Sequence, residues 1–175
     1  LADHADWNMG TGDFTIEGFF YTAHAADGGW LSHRSGGAGG WAIEIRATGA
    51  VWFRADVGGA YSDQKMATAT GAVTANTWTH VSVTRSGSSW AIWVGGTSSA
   101  TLSDAGALGN QASVLAIGCS TNAGENAYVG DIASLRVTKG VARYTANFTP
   151  PTLPLPNTGA IFVPQIMNLR QQMAA

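Results

Sequence analysis

The residues of this 175-residue chain that could do chemistry are few and dispersed. Cleaving a glycosidic bond takes two carboxyl groups held about 5–9.5 Å apart. Only three glutamates occur, Glu17, Glu44 and Glu125, and no Glu-x-Asp-x-x-Glu run sets two of them on one strand face. Glu17 and Glu44 fall on the polar phase of alternating segments, where solvated side chains are the default. His4, His24, His33 and His80 lack the spacing of a zinc site. No nucleophile elbow, phosphate-binding loop or dinucleotide fingerprint is present. Cys119 stands alone, which excludes an intrachain disulfide and suits a small buried core residue. The chain does not read as an enzyme.

Aromatic side chains are the other chemistry on offer, with seven tryptophans in all. Trp41, Trp78 and Trp90 are expected in phase with neighbouring apolar residues and therefore in the core. Trp52, Trp93, Phe19 and Tyr21 fall out of phase and are expected on an outer sheet face. Aromatics there could stack on sugar rings, pack on another subunit, or lie beneath the chain's own loops or tail. The sequence leaves these three open.

The elements that must position them follow a period of two. "DFTIEGFFY", "GWAIEIRA", "AVWFRADV", "THVSVTRS", "SWAIWVGG", "SVLAIGCS" and "YVGDIASLRVTK" alternate or run apolar, and Gly-rich stretches such as "DVGGA" and "SGSS" separate them. Short strands with turns roughly every 10 residues predict an all-β sandwich of two antiparallel sheets. Between Ile132 and Leu135 the alternation slips by one residue, as a β-bulge would require.

Composition sets outer limits. Charged residues are 11% of the chain and glycine reaches 23 residues, a balance that suits a sheet-rich extracellular or virion-like surface. A net charge of −2, with seven Arg and two Lys scattered along the chain, leaves no electrostatic footprint for nucleic acid. No apolar run reaches the ~18 residues of a membrane span, so no membrane insertion is expected. No signal peptide is visible in the opening "LADHADWNMG".

Three segments, "GTGDFTIEGFFYT" (10–22), "TANTWTHVSVTRSGSSWAIWVGGT" (74–97) and "YVGDIASLRVTKGVARYTANFTPPTLPLP" (128–156), together resemble the laminin-G-like branch of the concanavalin A-like lectin/glucanase superfamily. The third is the most specific. It is similar to the closing signature of laminin-G-like modules in phage and bacterial surface proteins: a strand, Thr-Lys-Gly, Ala-Arg-Tyr and Phe-x-Pro-Pro. Pro150 and Pro151 lock φ and remove two donors, so the chain leaves the sheet extended. Tyr144 and Phe148 can then pin that tail across the end of the sandwich.

The resemblance implies a jelly-roll β-sandwich over residues 1–156, with a short C-terminal extension at 157–175. It also implies a first strand ahead of Leu1, missing here or supplied by another segment. Modules of this type often hold calcium at the loop rim through aspartates, and their closing strand often carries paired acids. Those positions are Ala133 and Ser134 here, leaving Asp131 as at most one weak ligand, so no cofactor or metal is expected. The implied role is a non-enzymatic phage virion surface protein, of the tail-fibre or capsid-decoration kind, with a lectin-like module. The alternatives are a secreted or cell-surface bacterial adhesion module and a purely structural cement protein. Implied partners are other virion proteins, symmetry-related copies and cell-surface glycans, with Trp52, Trp93, Phe19 and Tyr21 as candidate contacts.

Residues 157–175 lie outside that pattern. Ile166, Leu169 and Met173 would share one stripe of a short helix, and such helices need a surface to cover. The segment is expected to be an assembly arm.

Overall fold

The computed structural model describes residues 1–36, 39–152 and 155. Among the described residues, ten strands follow a 3₁₀ turn at Ala5–Trp7. They are β1 (Phe14–Tyr21), β2 (Gly28–His33), β3 (Trp41–Ile45), β4 (Val51–Val57) and β5 (Ala60–Ala67). After these come β6 (Thr79–Ser86), β7 (Ser89–Val94), β8 (Thr97–Ser103), β9 (Ala116–Ile117) and β10 (Asp131–Lys139). All named pairs are antiparallel, in two five-stranded sheets ordered β10-β1-β6-β7-β8 and β5-β4-β3-β2-β9. The expected sandwich of two antiparallel sheets is what the chain forms.

Two-residue hairpins hold neighbouring strands in register. Gly58-Gly59 joins β4 to β5 and Gly95-Gly96 joins β7 to β8, all four with positive φ. Both central residues of such a turn must be left-handed to match the strand twist, and glycine does this without a Cβ clash. The expected bulge is also present. Gly18 alone stands opposite Ser134 and Leu135, and Ser134 takes φ 49°.

The inner faces interdigitate around large side chains. Phe14 meets Trp90 edge-on at 5.4 Å, Phe53 meets the same indole at 5.9 Å, and Phe20 packs on Trp30 at 4.3 Å. Trp41 and Trp90 belong to this core as expected. Trp78 does not. Its position is even-numbered, like outward-facing His80 and Ser82, whereas Val81 and Val83 point inward; it is 46% exposed. Cys119 is only half-buried, and its thiol donates to the Thr121 carbonyl.

Three strands had no counterpart in the sequence reading. β2 reads Gly-Gly-Trp-Leu-Ser-His, a run without alternation, and is buried at all six positions. β5 and β8 are polar edge strands with mostly exposed or half-buried residues. Conversely, "SVLAIGCS" yields only the two-residue β9.

Candidate binding groove and the strap that builds it

After β10 the chain turns at Gly140 and crosses the outer face of the β10-β1-β6-β7-β8 sheet. Its contacts tie it to β10, to β1 and to β8 with the hairpin that precedes it. Thr15 Oγ1 on β1 donates to the Val141 carbonyl, and Arg143 Nε donates to Thr138 Oγ1 on β10. Tyr144 OH donates to Glu17 Oε2 at 2.8 Å. Asn147 Oδ1 accepts from the Ser98 amide of β8, and the Phe148 amide donates to the Gly96 carbonyl at the β7–β8 hairpin. The Tyr144 and Phe148 rings stack face to face at 3.5 Å, and Phe148 meets His80 and Trp93 edge-on. Tyr144 and Phe148 thus pin the tail as a band over a sheet face, rather than across the end of the sandwich.

The anchor beneath the strap is Glu17. It was expected in solvent and is 0% exposed, because the strap covers the face it points from. Arg136 Nε and Nη2 both donate to its Oε1 at 2.8 and 2.6 Å; His80 Nε2 and Tyr144 OH converge on Oε2 at 3.0 and 2.8 Å. Burial alone would raise this carboxyl's pKa. The hydrogen bond from His80, the Arg136 charge, and the hydrogen bonds of Arg136 and Tyr144 outweigh it and hold the group below its ordinary 4.5. Burial and the facing carboxylate push the Tyr144 phenol well above its ordinary range.

Glu44 on β3 is likewise expected in solvent and is 0% exposed. Ser120 Oγ donates to Glu44 Oε1 at 2.6 Å, Arg46 Nη1 donates to Oε2 at 2.6 Å, and Arg54 Nε lies 2.9 Å from Oε1. The segment carrying Ser120 passes so close to β2 that a Cβ on Gly29 would overlap the Ser120 amide. Each sheet therefore buries one glutamate under a non-sheet segment.

The strap and β8 leave a groove between them, of about 570 Å³. Trp93 and Thr84 line it from β7 and β6, Ser98 and Thr101 from β8, and Tyr144 and Asn147 from the strap. The Trp93 indole N–H donates to Thr84 Oγ1 at 2.8 Å. Hydroxyls dominate the lining, and among the described residues no Asp, Glu, Lys, Arg or His takes part. Asn147 spends its carbonyl on Ser98 and keeps its NH₂ group as a donor. Such a surface suits an uncharged ligand that offers many hydrogen bonds along with apolar C–H faces.

The four aromatics expected on outer faces do not converge. Trp93 faces outward but is only 4% exposed, closed over by Phe148. Phe19 is half-buried and packs edge-on against His80. Trp52 lies on the other sheet, its ring taken by the Arg46 guanidinium at 4.1 Å. Tyr21 sits at the end of β1 beside Trp78. Asp131 opens β10 opposite Tyr21. Among the described residues no group of three or more His, Cys, Asp or Glu converges as a metal site. Ile166, Leu169 and Met173 lie outside the described residues. The sequence reading missed Ser98, Thr101 and Asn147, whose types carry no signal until the strap is seen to bring them together.

A two-sheet antiparallel sandwich with this closing strap defines a lectin-like β-sandwich domain. A laminin G family model, described as concanavalin A-like lectin/glucanases superfamily, matches residues 1–143, and the chain belongs to that family. No curated protein sequence matches the chain. Among solved structures, it is similar to a Bacteroides ovatus protein provisionally assigned to carbohydrate binding, at TM-score 0.58 and 19% identity. That likeness covers 77% of this chain and 39% of the other. The LG4-5 domains of the mouse laminin alpha1 chain align at TM-score 0.55 and 17% identity, covering 83% of this chain and 42% of that one. The CBM40 module of a Ruminococcus gnavus sialidase, bound to alpha2,3 sialyllactose, aligns at TM-score 0.58 and 15% identity, covering 76% and 78%. The chain thus spans less than half of the first two. At these identities the likeness is one of fold.

Proposed function

We propose that this chain is a non-catalytic carbohydrate-binding module that takes a neutral glycan in the groove between the strap and β8. The observation that carries the reading is the lining: an indole edge, a phenol, an amide and a row of hydroxyls, without a charged side chain. Ser98 and Thr101 are exposed on an edge strand, so a large charged residue fits there without disturbing the core. Ser98→Arg and Thr101→Arg are each expected to cut binding of neutral oligosaccharides at least roughly tenfold, about 1.4 kcal/mol, with unchanged thermal unfolding. Calorimetry with the purified domain reads this directly. Unaltered binding in both variants would remove the groove from consideration.

The setting we propose is a surface protein, of a phage virion (tail fibre or capsid decoration) or, alternatively, of a bacterial cell. The support is the Thr-Lys-Gly, Ala-Arg-Tyr and Phe-x-Pro-Pro closing motif. Residues 157–175 would be its assembly arm, docking the stripe of Ile166, Leu169 and Met173 on a symmetry-related copy or another virion protein. The strap already closes the sheet, and Leu155 is buried. Truncation after Pro156 should therefore keep thermal stability and lose self-association on a sizing column. Unfolding of the shortened chain would place the segment in the core instead.

A further inference from the structure

At the other end of the sheet face that carries the strap stands an aromatic pair, an exposed Trp78 and a half-buried Tyr21. The β1–β6 register pairs Phe19 with His80 and Phe20 with Thr79, which sets Trp78 directly across from Tyr21. The β1–β10 register puts Asp131 across from Tyr21 on the other side. The Trp78 and Tyr21 rings lie 5.8 Å apart at 48°. Trp78 is 46% exposed, a large apolar side chain on the outward phase of the sheet.

The pair is held from behind. Tyr128 OH donates to the Tyr21 carbonyl, and Thr22 Oγ1 donates to the Val129 carbonyl, so two bonds fix the strand end that carries the phenol. Gly130 leaves no room for a side chain, since a Cβ there would overlap the Tyr21 carbonyl. A rigid end is what a stacking platform needs, because less side-chain freedom is lost on binding.

We propose that Trp78 and Tyr21, with Asp131 beside them, form a second glycan site, one that stacks the C–H face of a pyranose. A pyranose with equatorial hydroxyls presents such a face to an indole, while its ring-edge hydroxyls donate to a carboxylate. Asp131 separates this site chemically from the uncharged groove. Trp78 immediately precedes β6, the strand that carries Thr84 of the groove. Four residues separate Trp78 from Ser82, the partner of Trp93, so they lie roughly 13 Å or more apart along the strand. The Tyr144–Phe148 stack rises over His80 between them. A polymer touching both would be held bivalently, at a high effective concentration for the second contact.

This proposal rests on the reading of the domain as carbohydrate-binding, and the test keeps the two sites apart. Cellopentaose, maltopentaose and lactose are titrated against the wild type, Trp78→Ala, Trp78→Phe and Ser98→Arg, following tryptophan emission and calorimetric heat. Circular dichroism checks each fold; Trp78 is exposed enough for both variants to be tolerated. The expected result is an emission change with at least one sugar that survives in Ser98→Arg. Trp78→Ala should weaken that component roughly tenfold, and Trp78→Phe should weaken it less. Binding abolished by Ser98→Arg and untouched by Trp78→Ala would overturn the second site and leave the groove standing. The opposite pattern would support the second site and remove the groove. No response to any of the three sugars would overturn both.

Discussion

Glu17→Ala is expected to cost about 3–5 kcal/mol of folding stability, the largest loss from any single polar substitution in this sheet. The reason is what the change leaves behind. Arg136, His80 and Tyr144 would keep donors aimed at a site sealed beneath the strap, with no acceptor and no water. Glu17→Gln keeps the shape and loses the charge, so it should fall between wild type and alanine. Chemical denaturation with the m-value held constant measures both. The same network makes the fold acid-sensitive. Glu17 has a lower pKa folded than unfolded, so its contribution is complete above the unfolded value near 4.5 and is lost as pH falls through the folded value. A stability profile from pH 7 to 2 should drop less steeply in Glu17→Gln. Identical acid slopes would mean that other carboxyls govern the transition.

Gly96→Ala is expected to be the most damaging small substitution at a turn. Gly96 takes φ +80°, which alone costs an alanine about 1–3 kcal/mol. A Cβ there would also overlap the Phe148 carbonyl, the point where the strap meets the β7–β8 hairpin. Gly95, with φ +57° and nothing within 4 Å of a built Cβ, is the control. Gly95→Ala carries the backbone cost alone. The difference between their midpoints therefore reports the seating of the strap. Gly96→Ala should also expose Trp93, seen as a red shift of its emission once Phe148 lifts away. Equal stability and equal spectra in the two variants would mean that the strap does not rest on the hairpin.

The architecture was legible in the sequence because most of the sandwich obeys a period of two. β4 shows why: its burial alternates at every position, from Val51 to Val57. β2 escaped because its residues, Gly-Gly-Trp-Leu-Ser-His, do not alternate: two glycines open it and Trp30 and Leu31 stand side by side. β5 and β8 escaped because an edge strand can be polar throughout and still complete its ladder. The slip near Ser134 was visible because one extra residue moves every later side chain to the other face. The site was less legible. Parity places Glu17 and Glu44 outward, and outward they are. What covers them is another part of the chain, and alternation carries no information about that. The closing motif, with Tyr144 and Phe148, supplied the one hint of a cover.

The pairing of Glu17 with Arg136 spans 119 residues, and that of Tyr144 with Glu17 spans 127. During synthesis β1 stays without β10 until more than a hundred further residues have been added. Its backbone groups on the β10 side are meanwhile an open edge, on which a nascent neighbour can pair wrongly. Loop closure over such distances is slow, so the domain belongs among the slow folders of all-β topology. The buried glutamate thus ties β1 to the strap across most of the domain: its set of hydrogen-bond donors is complete only once residue 144 has been made, so this sheet face cannot be sealed before the strap exists.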